Sequence, residues 1–263
     1  MDRECVSCCS IAMHSREPEY VFRVLAESGY RKVDLLGRMP HFDINDREYE
    51  FGRVVWAAEA HGIAIANIGS YCGGDFASDD PDKRLAAVAD TWAVIDAAAS
   101  CGARSIRTRP GQREEPRLLE RVADCFKRAA EQAEKQGVYM GIENHGGAIS
   151  GNPELCAELF DKVGSEYAGV LYEPCNLMLA GVDYKQAFEV MKGHITHCHI
   201  KDGYEIDGKL QSVWLGTGAI DFRWVLANLE AIGYRGDYAL EYELDIEPAE
   251  TAVGKWLSWF LKL

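Results

Sequence analysis

A helix, a glycine and a short apolar run recur along the whole sequence. Gly29, Gly62, Gly102, Gly137, Gly164, Gly193 and Gly233 each close a stretch of helical character. Their spacing is that of one supersecondary unit. Glycine suits the position because a helix commonly ends on a left-handed residue, which costs least without a Cβ. Eight predicted strands lie between the helices, at 5–13, 32–36, 64–68, 105–108, 138–143, 169–173, 195–199 and 238–241. They read as continuous apolar or β-branched runs, the mark of strands covered on both faces. Helices are predicted over 19–28, 46–61, 82–101, 116–136, 153–163, 183–192, 221–232 and from Ala249 onward. Pro18, Pro116 and Pro153 stand at helix entries, and Trp256 and Trp259, at helical spacing, mark a docking face. Eightfold alternation predicts a closed α/β barrel, (β/α)₈, rather than an open doubly wound sheet. No G-x-G-x-x-G follows the first strand to suggest a dinucleotide site. The 263 residues are close to the ~250 typical of that barrel. No linker or charge block divides them, so 1–263 is expected to be a single domain.

Charge narrows the partners. Lys and Arg number 28 against 42 Asp and Glu, a net charge of −14, and no Lys/Arg run marks a nucleic-acid surface. The expected partner is a small molecule, with no nucleic acid and no membrane. No apolar run approaches the ~18 residues of a membrane span. The opening Met1-Asp2-Arg3-Glu4 lacks the profile of a signal peptide. The nine cysteines are odd in number and sit mostly in apolar stretches, as buried thiols do in a reducing compartment. A cytoplasmic location is expected. The cluster Cys5, Cys8, Cys9 has no second Cys/His pair at zinc-finger spacing, so these thiols are read as lining the core.

Barrels of this kind carry their chemistry at the C-terminal ends of the strands. The fifth strand ends in Glu143, the sixth in Glu173, the seventh in His199 and the eighth in Glu241. A carboxylate at the end of a buried strand is costly unless paired or bound to a cation, and four successive strand ends converge on one mouth. Glu143, Glu173, His199 and Glu241 are therefore the candidate metal ligands. Three carboxylates and an imidazole make a hard site, favouring Mn²⁺ or Mg²⁺, with Co²⁺ or Zn²⁺ as alternatives. His194 and His197 lie earlier in the run and read as helix-end and core histidines.

Gly141-Ile142-Glu143-Asn144-His145-Gly146, His199-Ile200-Lys201-Asp202, the segment from Leu215 to Asp221 and Leu240-Glu241-Tyr242-Glu243 resemble the sugar phosphate isomerase/epimerase family, the xylose isomerase-like TIM barrel superfamily. The resemblance extends over essentially the whole chain. That family includes ketose 3-epimerases, hydroxypyruvate isomerases, inosose and dehydroshikimate dehydratases, and apurinic endonucleases. The resemblance implies that Glu143 and Glu241 are metal ligands facing each other across the substrate and exchanging its proton. It implies Glu173 and His199 as the other two ligands, Mn²⁺ as the metal, His145 and Lys201 as substrate contacts, and a homo-oligomer. Two departures stand out. The sixth strand ends in Glu173 where the family usually has Asp, and Thr217 interrupts the usual Gly-Glu-Gly. Asn176 also stands where some epimerases place a substrate-touching His.

The constellation suits sugar isomerisation or epimerisation. A metal polarises the carbonyl, one glutamate removes the α proton, and the other returns a proton to the enediolate. Expulsion of a β-hydroxyl would make a dehydratase instead. Cleavage of a C-glycoside and a non-catalytic sugar-binding subunit are further alternatives. A nuclease needs extra histidines that Ile68-Gly69-Ser70-Tyr71 does not supply. Arg107, Arg109 and Lys201 could hold an anionic substrate group or pair with the ligand glutamates or Asp202. Tyr71 and Trp214 could wall a sugar or simply pack.

Overall fold

Strands apolar on both faces must be covered on both, and the chain meets that demand by closing on itself. In a computed structural model, which describes residues 1–44, 50–207 and 209–263, the strands are β1 (Val6–Cys9), β2 (Lys32–Leu36), β3 (Ala64–Gly69), β4 (Ser105–Thr108), β5 (Tyr139–Glu143), β6 (Ala168–Tyr172), β7 (Ile195–Ile200), β8 (Asp202–Ile206), β9 (Lys209–Val213) and β10 (Tyr238–Leu240). Eight of them form a closed barrel in the order β1-β10-β7-β6-β5-β4-β3-β2, with every neighbouring pair parallel. The helices are α1 (Pro18–Glu27), α2 (Phe51–Ala60), α3 (Pro81–Ser100), α4 (Leu119–Gln136), α5 (Pro153–Val163), α6 (Pro174–Leu179), α7 (Tyr184–Met191), α8 (Phe222–Ala231) and α9 (Ala249–Phe260). The fold is a (β/α)₈ barrel. Among the described residues no helix is long and apolar enough to cross a membrane.

The helix boundaries follow local chemistry. Asp80, Asn152, Asp183 and Asp221 cap α3, α5, α7 and α8 by accepting backbone N–H groups of the first turn. Gly137 and Gly164 end α4 and α5 at φ 68° and 69°. Gly193 departs from the expected pattern: it lies inside the 3₁₀ turn Lys192–His194 that leads directly into β7. The first strand stops at Cys9 rather than reaching Met13. Ser10 turns aside because its hydroxyl accepts from the Leu36 amide and bonds His41 Nδ1. The start expected for α2 falls on residues outside the described ones. Neither α6 nor the antiparallel hairpin β8–β9 is signalled by the repeating unit, since both are insertions after a strand end. Trp256 is buried against Trp214 and Tyr242, with ring centroids 6.0 and 5.2 Å apart. That packing gives α9 its docking face, and half-buried Trp214 packs against the core there.

Two local features aim the seventh strand. Val170 pairs with Ile195, but Leu171 pairs with His197, so the register shifts by one residue at Thr196. Thr196 Oγ1 donates toward Met140 O and Val170 O at 3.2 and 3.3 Å. Paired regularly, the same sequence would set Glu173 level with Cys198; the shift sets it level with His199. The approach also needs glycine. A Cβ on Gly169 would lie 1.9 Å from the His194 carbonyl oxygen, and one on Gly141 would lie 2.9 Å from the Leu171 nitrogen. Gly169→Ala is therefore expected to lower stability by roughly 1–3 kcal/mol, as overpacking does. Gly52→Ala, on an open face of α2, is expected to raise it by about 0.5–1 kcal/mol. Urea denaturation of both variants checks the contrast, and equal effects would contradict the register argument.

Candidate metal centre and active site

Four adjacent barrel strands, β5, β6, β7 and β10, deliver the acidic ends of their runs to one point. Glu143 closes β5, Glu173 follows β6, His199 is the penultimate residue of β7, and Glu241 follows β10. All four are buried, and one ligand atom from each lies within 4.8 Å of the others. His199 Nδ1 is 3.2 Å from Glu143 Oε1 and 3.7 Å from both Glu173 Oε2 and Glu241 Oε1. It nevertheless makes no hydrogen bond, and neither does Glu173 Oε1. Two orphaned buried polar atoms in one cluster call for a shared partner. Donors about 2.0–2.6 Å from a divalent ion span at most roughly 5 Å, so the group fits such an ion. The longer side chain of Glu173 is not swung away from the cluster.

The imidazole is aimed by a residue the strand pattern does not reveal. Asp34, fully buried on β2, accepts from His199 Nε2 at 3.0 Å and from His197 Nε2 at 2.9 Å. Its other oxygen accepts from Asn67 Nδ2 at 2.9 Å, and Asn67 accepts from Ser105 Oγ at 2.7 Å. Burial pushes the Asp34 carboxyl upward, but the two histidine hydrogen bonds outweigh it and hold the group well below the usual carboxylate range. An ionised Asp34 only accepts, so both Nε2 atoms donate and His199 Nδ1 faces the carboxylates. Burial pulls the His199 pKa down, but the neighbouring Glu241 charge and the Asp34 hydrogen bond outweigh it and raise the imidazole well above its ordinary value, so a bound ion would have to displace the Nδ1 proton. His197 is thus a core histidine, as expected. His194 lies at a helix end, 3.1 Å from Asp161. Cys8 and Cys9 line the core, and Cys9 Sγ lies 3.9 Å from His199 Nε2.

Cations hold the outer oxygens of the cluster. Arg107 meets Glu143 Oε2 at 2.8 Å. Lys201 Nζ lies 2.8 Å from Glu241 Oε2, 2.9 Å from Glu243 and 3.6 Å from Glu173. Glu143 is pushed up by burial and pulled down further by Arg107 and His199, ending well below the ordinary range. Glu173 behaves oppositely. Burial raises it to about 8, Lys201 offsetting that only in part and Glu241 adding to it. Asn176 Nδ2 donates to Glu173 Oε2 and to Asn144 O, both at 3.0 Å, so it braces the sixth-strand carboxylate.

Above the cluster lies a cavity of about 260 Å³. Of the residues expected to touch substrate, Tyr71, Arg107, Arg109, His145, Asn176 and Lys201 all line it. Arg107 takes the pairing alternative, to Glu143; Arg109 pairs with no acidic group among the described residues. Asp202 pairs with neither arginine, because its carboxylate accepts from the backbone amides of Gly203, Gly216, Gly218 and Ile220. That bonding fixes the loop where Thr217 replaces a usual carboxylate. Glu114 similarly accepts from the amides of Ile149 and Ser150 and from Ser150 Oγ, tying the loop after β4 to that after β5. Asp34, Arg38, Glu114 and Asn144 were not singled out by the sequence. A lone carboxylate in the otherwise apolar Val33-Asp34-Leu35-Leu36 was the one available signal.

The comparisons with known proteins agree with this architecture. A segment of 139 residues is 27% identical to the inosose dehydratase of Geobacillus thermodenitrificans (strain NG80-2). It covers 47% of this chain and 47% of that protein, so the chain spans about half the length of the curated relative it matches. A xylose isomerase-like TIM barrel protein from Mycobacterium smegmatis, solved in complex with magnesium, superposes with a TM-score of 0.82 at 14% identity, covering 100% of this chain and 97% of that one. An L-ribulose 3-epimerase gives 0.78 at 18% identity, covering 98% and 93%. Identities this low speak for the fold and not for a reaction. The pattern of one family matches residues 22–263, and the chain belongs to it: the xylose isomerase-like TIM barrel family.

Proposed function

We infer that this chain is a divalent-metal-dependent sugar isomerase or epimerase, acting as a single cytoplasmic domain by proton abstraction α to a carbonyl. The observation that carries the reading is the cluster of Glu143, Glu173, His199 and Glu241 with His199 Nδ1 unbonded at its centre. These four side chains would hold the ion, with Mn²⁺ the preferred metal for so oxygen-rich a set. The metal, when bound, polarises the substrate carbonyl and the neighbouring hydroxyl. Glu143 and Glu241 act on the substrate proton from opposite sides, one removing it and the other returning it. Each has one oxygen turned to the cluster and one held by a cation that lines the cavity, Arg107 or Lys201. Those cations stabilise the negative charge that develops on substrate oxygen. Asn176 keeps Glu173 in place, and His145 contributes a polar contact at the rim. The nine free thiols support a reducing compartment.

A second reading, a dehydratase, is favoured by the sequence match to an inosose dehydratase. Solvent exchange separates the two. Incubated with ketoses in D₂O, an isomerase or epimerase exchanges substrate hydrogen, whereas a dehydratase accumulates an ultraviolet-absorbing enone. Glu143→Gln and Glu241→Gln are each expected to lower turnover by about 10²–10⁴-fold.

Metal analysis tests the centre directly. Wild type should retain near-equimolar divalent metal, and folded Glu143→Ala and His199→Ala should lose it. Asp34→Asn should weaken affinity by about 10–100-fold, as outer partners of ligand histidines do. Wild type that takes up none of Mn²⁺, Co²⁺, Mg²⁺ or Zn²⁺ contradicts the proposal.

Proton release supplies a further check. Burial raises Glu173 to about 8 and its neighbours raise His199, so at neutral pH both carry protons that a metal must displace. Affinity should rise with pH through neutrality, by up to about tenfold per unit for each proton displaced. Calorimetry in buffers of different ionisation enthalpy should find proton release on metal binding below pH 8 in wild type, and one proton fewer in Glu173→Gln.

A further inference from the structure

The barrel mouth is divided by charge. The candidate ligands come from β5, β6, β7 and β10, four consecutive strands of the ring. The opposite side, after β2, β3 and β4, presents Arg38, Tyr71, Arg107 and Arg109. The guanidinium carbons of Arg38, Arg107 and Arg109 lie 4.2, 4.3 and 5.6 Å from the centroid of the Tyr71 ring. Three cations converge on one aromatic side chain.

Among the described residues the charges of Arg38 and Arg109 are not balanced by an acidic partner. Arg107 is paired with Glu143, and Lys201 with Glu241 and Glu243. Glu114, the other carboxylate beside the arginines, is occupied by two backbone amides and the Ser150 hydroxyl. Among the described residues Arg38 and Arg109 form no ion pair, and the face of Tyr71 is their shared contact. Gathering like charges costs Coulomb energy. A cation–π contact at an exposed site returns only about 0.5–1 kcal/mol. Packing therefore gives no sufficient reason for the arrangement, whereas guanidinium forks match the oxygens of a carboxylate or phosphate in two-pronged fashion. Arg38 also lines a neighbouring cleft of about 780 Å³ that shares Ile11 and Glu243 with the cavity, so it stands where a substrate's far end would emerge.

We propose that Arg38 and Arg109, steered by the Tyr71 ring, bind an anionic group at the end of the substrate remote from the metal cluster, so that the substrate is a sugar acid or sugar phosphate rather than a neutral ketose. This rests on reading the cavity as a sugar site. Tyr71 is the fixed platform, and Arg107 remains with Glu143.

The test uses the full chain loaded with Mn²⁺ and measures calorimetric affinity for D-fructose, 5-keto-D-gluconate and D-fructose 6-phosphate. At least one of the two anions should bind tenfold or more tightly than D-fructose, and whichever does identifies carboxylate or phosphate as the group. In Arg38→Gln/Arg109→Gln, affinity for that anion should fall by about 10–100-fold, the scale of charged hydrogen bonds, with metal content and circular dichroism unchanged. D-fructose bound as well as either anion overturns the inference and leaves the sugar-site reading standing. An anion preference that survives the double variant overturns it too. If the metal-loaded protein binds none of the three, both the inference and the sugar-site reading beneath it fail.

Discussion

A single buried carboxylate organises the inside of this barrel. Asp34 sits where water cannot reach it, and three side-chain donors from two other strands make its charge tolerable. The same bonds stitch β2 to β3 and, across the interior, to β7. They also fix Nε2 of His199 as a donor to Asp34, and so turn Nδ1 toward the carboxylates. The orientation of the Glu143, Glu173, His199 and Glu241 cluster is thus set from behind, by a group that does not belong to it. A carboxylate so placed cannot be removed without stranding two imidazoles and an amide.

The outer edge of the cluster is ordered by a different logic. Arg107 and Lys201 each hold one oxygen of a glutamate, leaving the second free to turn inward. Glu143 and Glu173 sit at the ends of adjacent strands, yet their proton affinities are driven in opposite directions, because Arg107 faces one directly while Lys201 stands farther from the other. Environment, not residue type, distinguishes the carboxylates.

The barrel and its mouth were legible in the sequence because both depend on one-dimensional patterns. Apolar runs of the right length, closed by glycine, give strands and helix ends, and the residue that ends each run gives the cluster. Interactions that depend on closure were not legible. Asp34 meets His197 and His199 across 163 and 165 residues of chain, and nothing local in Lys32–Leu36 reports a partner so distant. Arg38 acquires its meaning only when the loops after β2, β3 and β4 are side by side. The hairpin β8–β9 and α6 escaped because they interrupt the repeat that made the rest readable. Gly193 and Trp214 mark the limit of the pattern itself: a glycine at the right spacing that ends no α-helix, and an aromatic near the mouth that packs against the core.

The shift at Thr196 bears on how such a centre can change over evolutionary time. Below it, β7 and β6 keep one alternation; above it, the inward and outward faces of β7 are exchanged. Which side chain stands level with Glu173 is therefore decided by how many residues follow Ile195, not only by what they are. One residue inserted there, with the shift kept at a single residue, would bring the thiol of Cys198 level with Glu173 in place of an imidazole, turning a hard site toward softer metals. Ligand chemistry in this barrel is written partly in length.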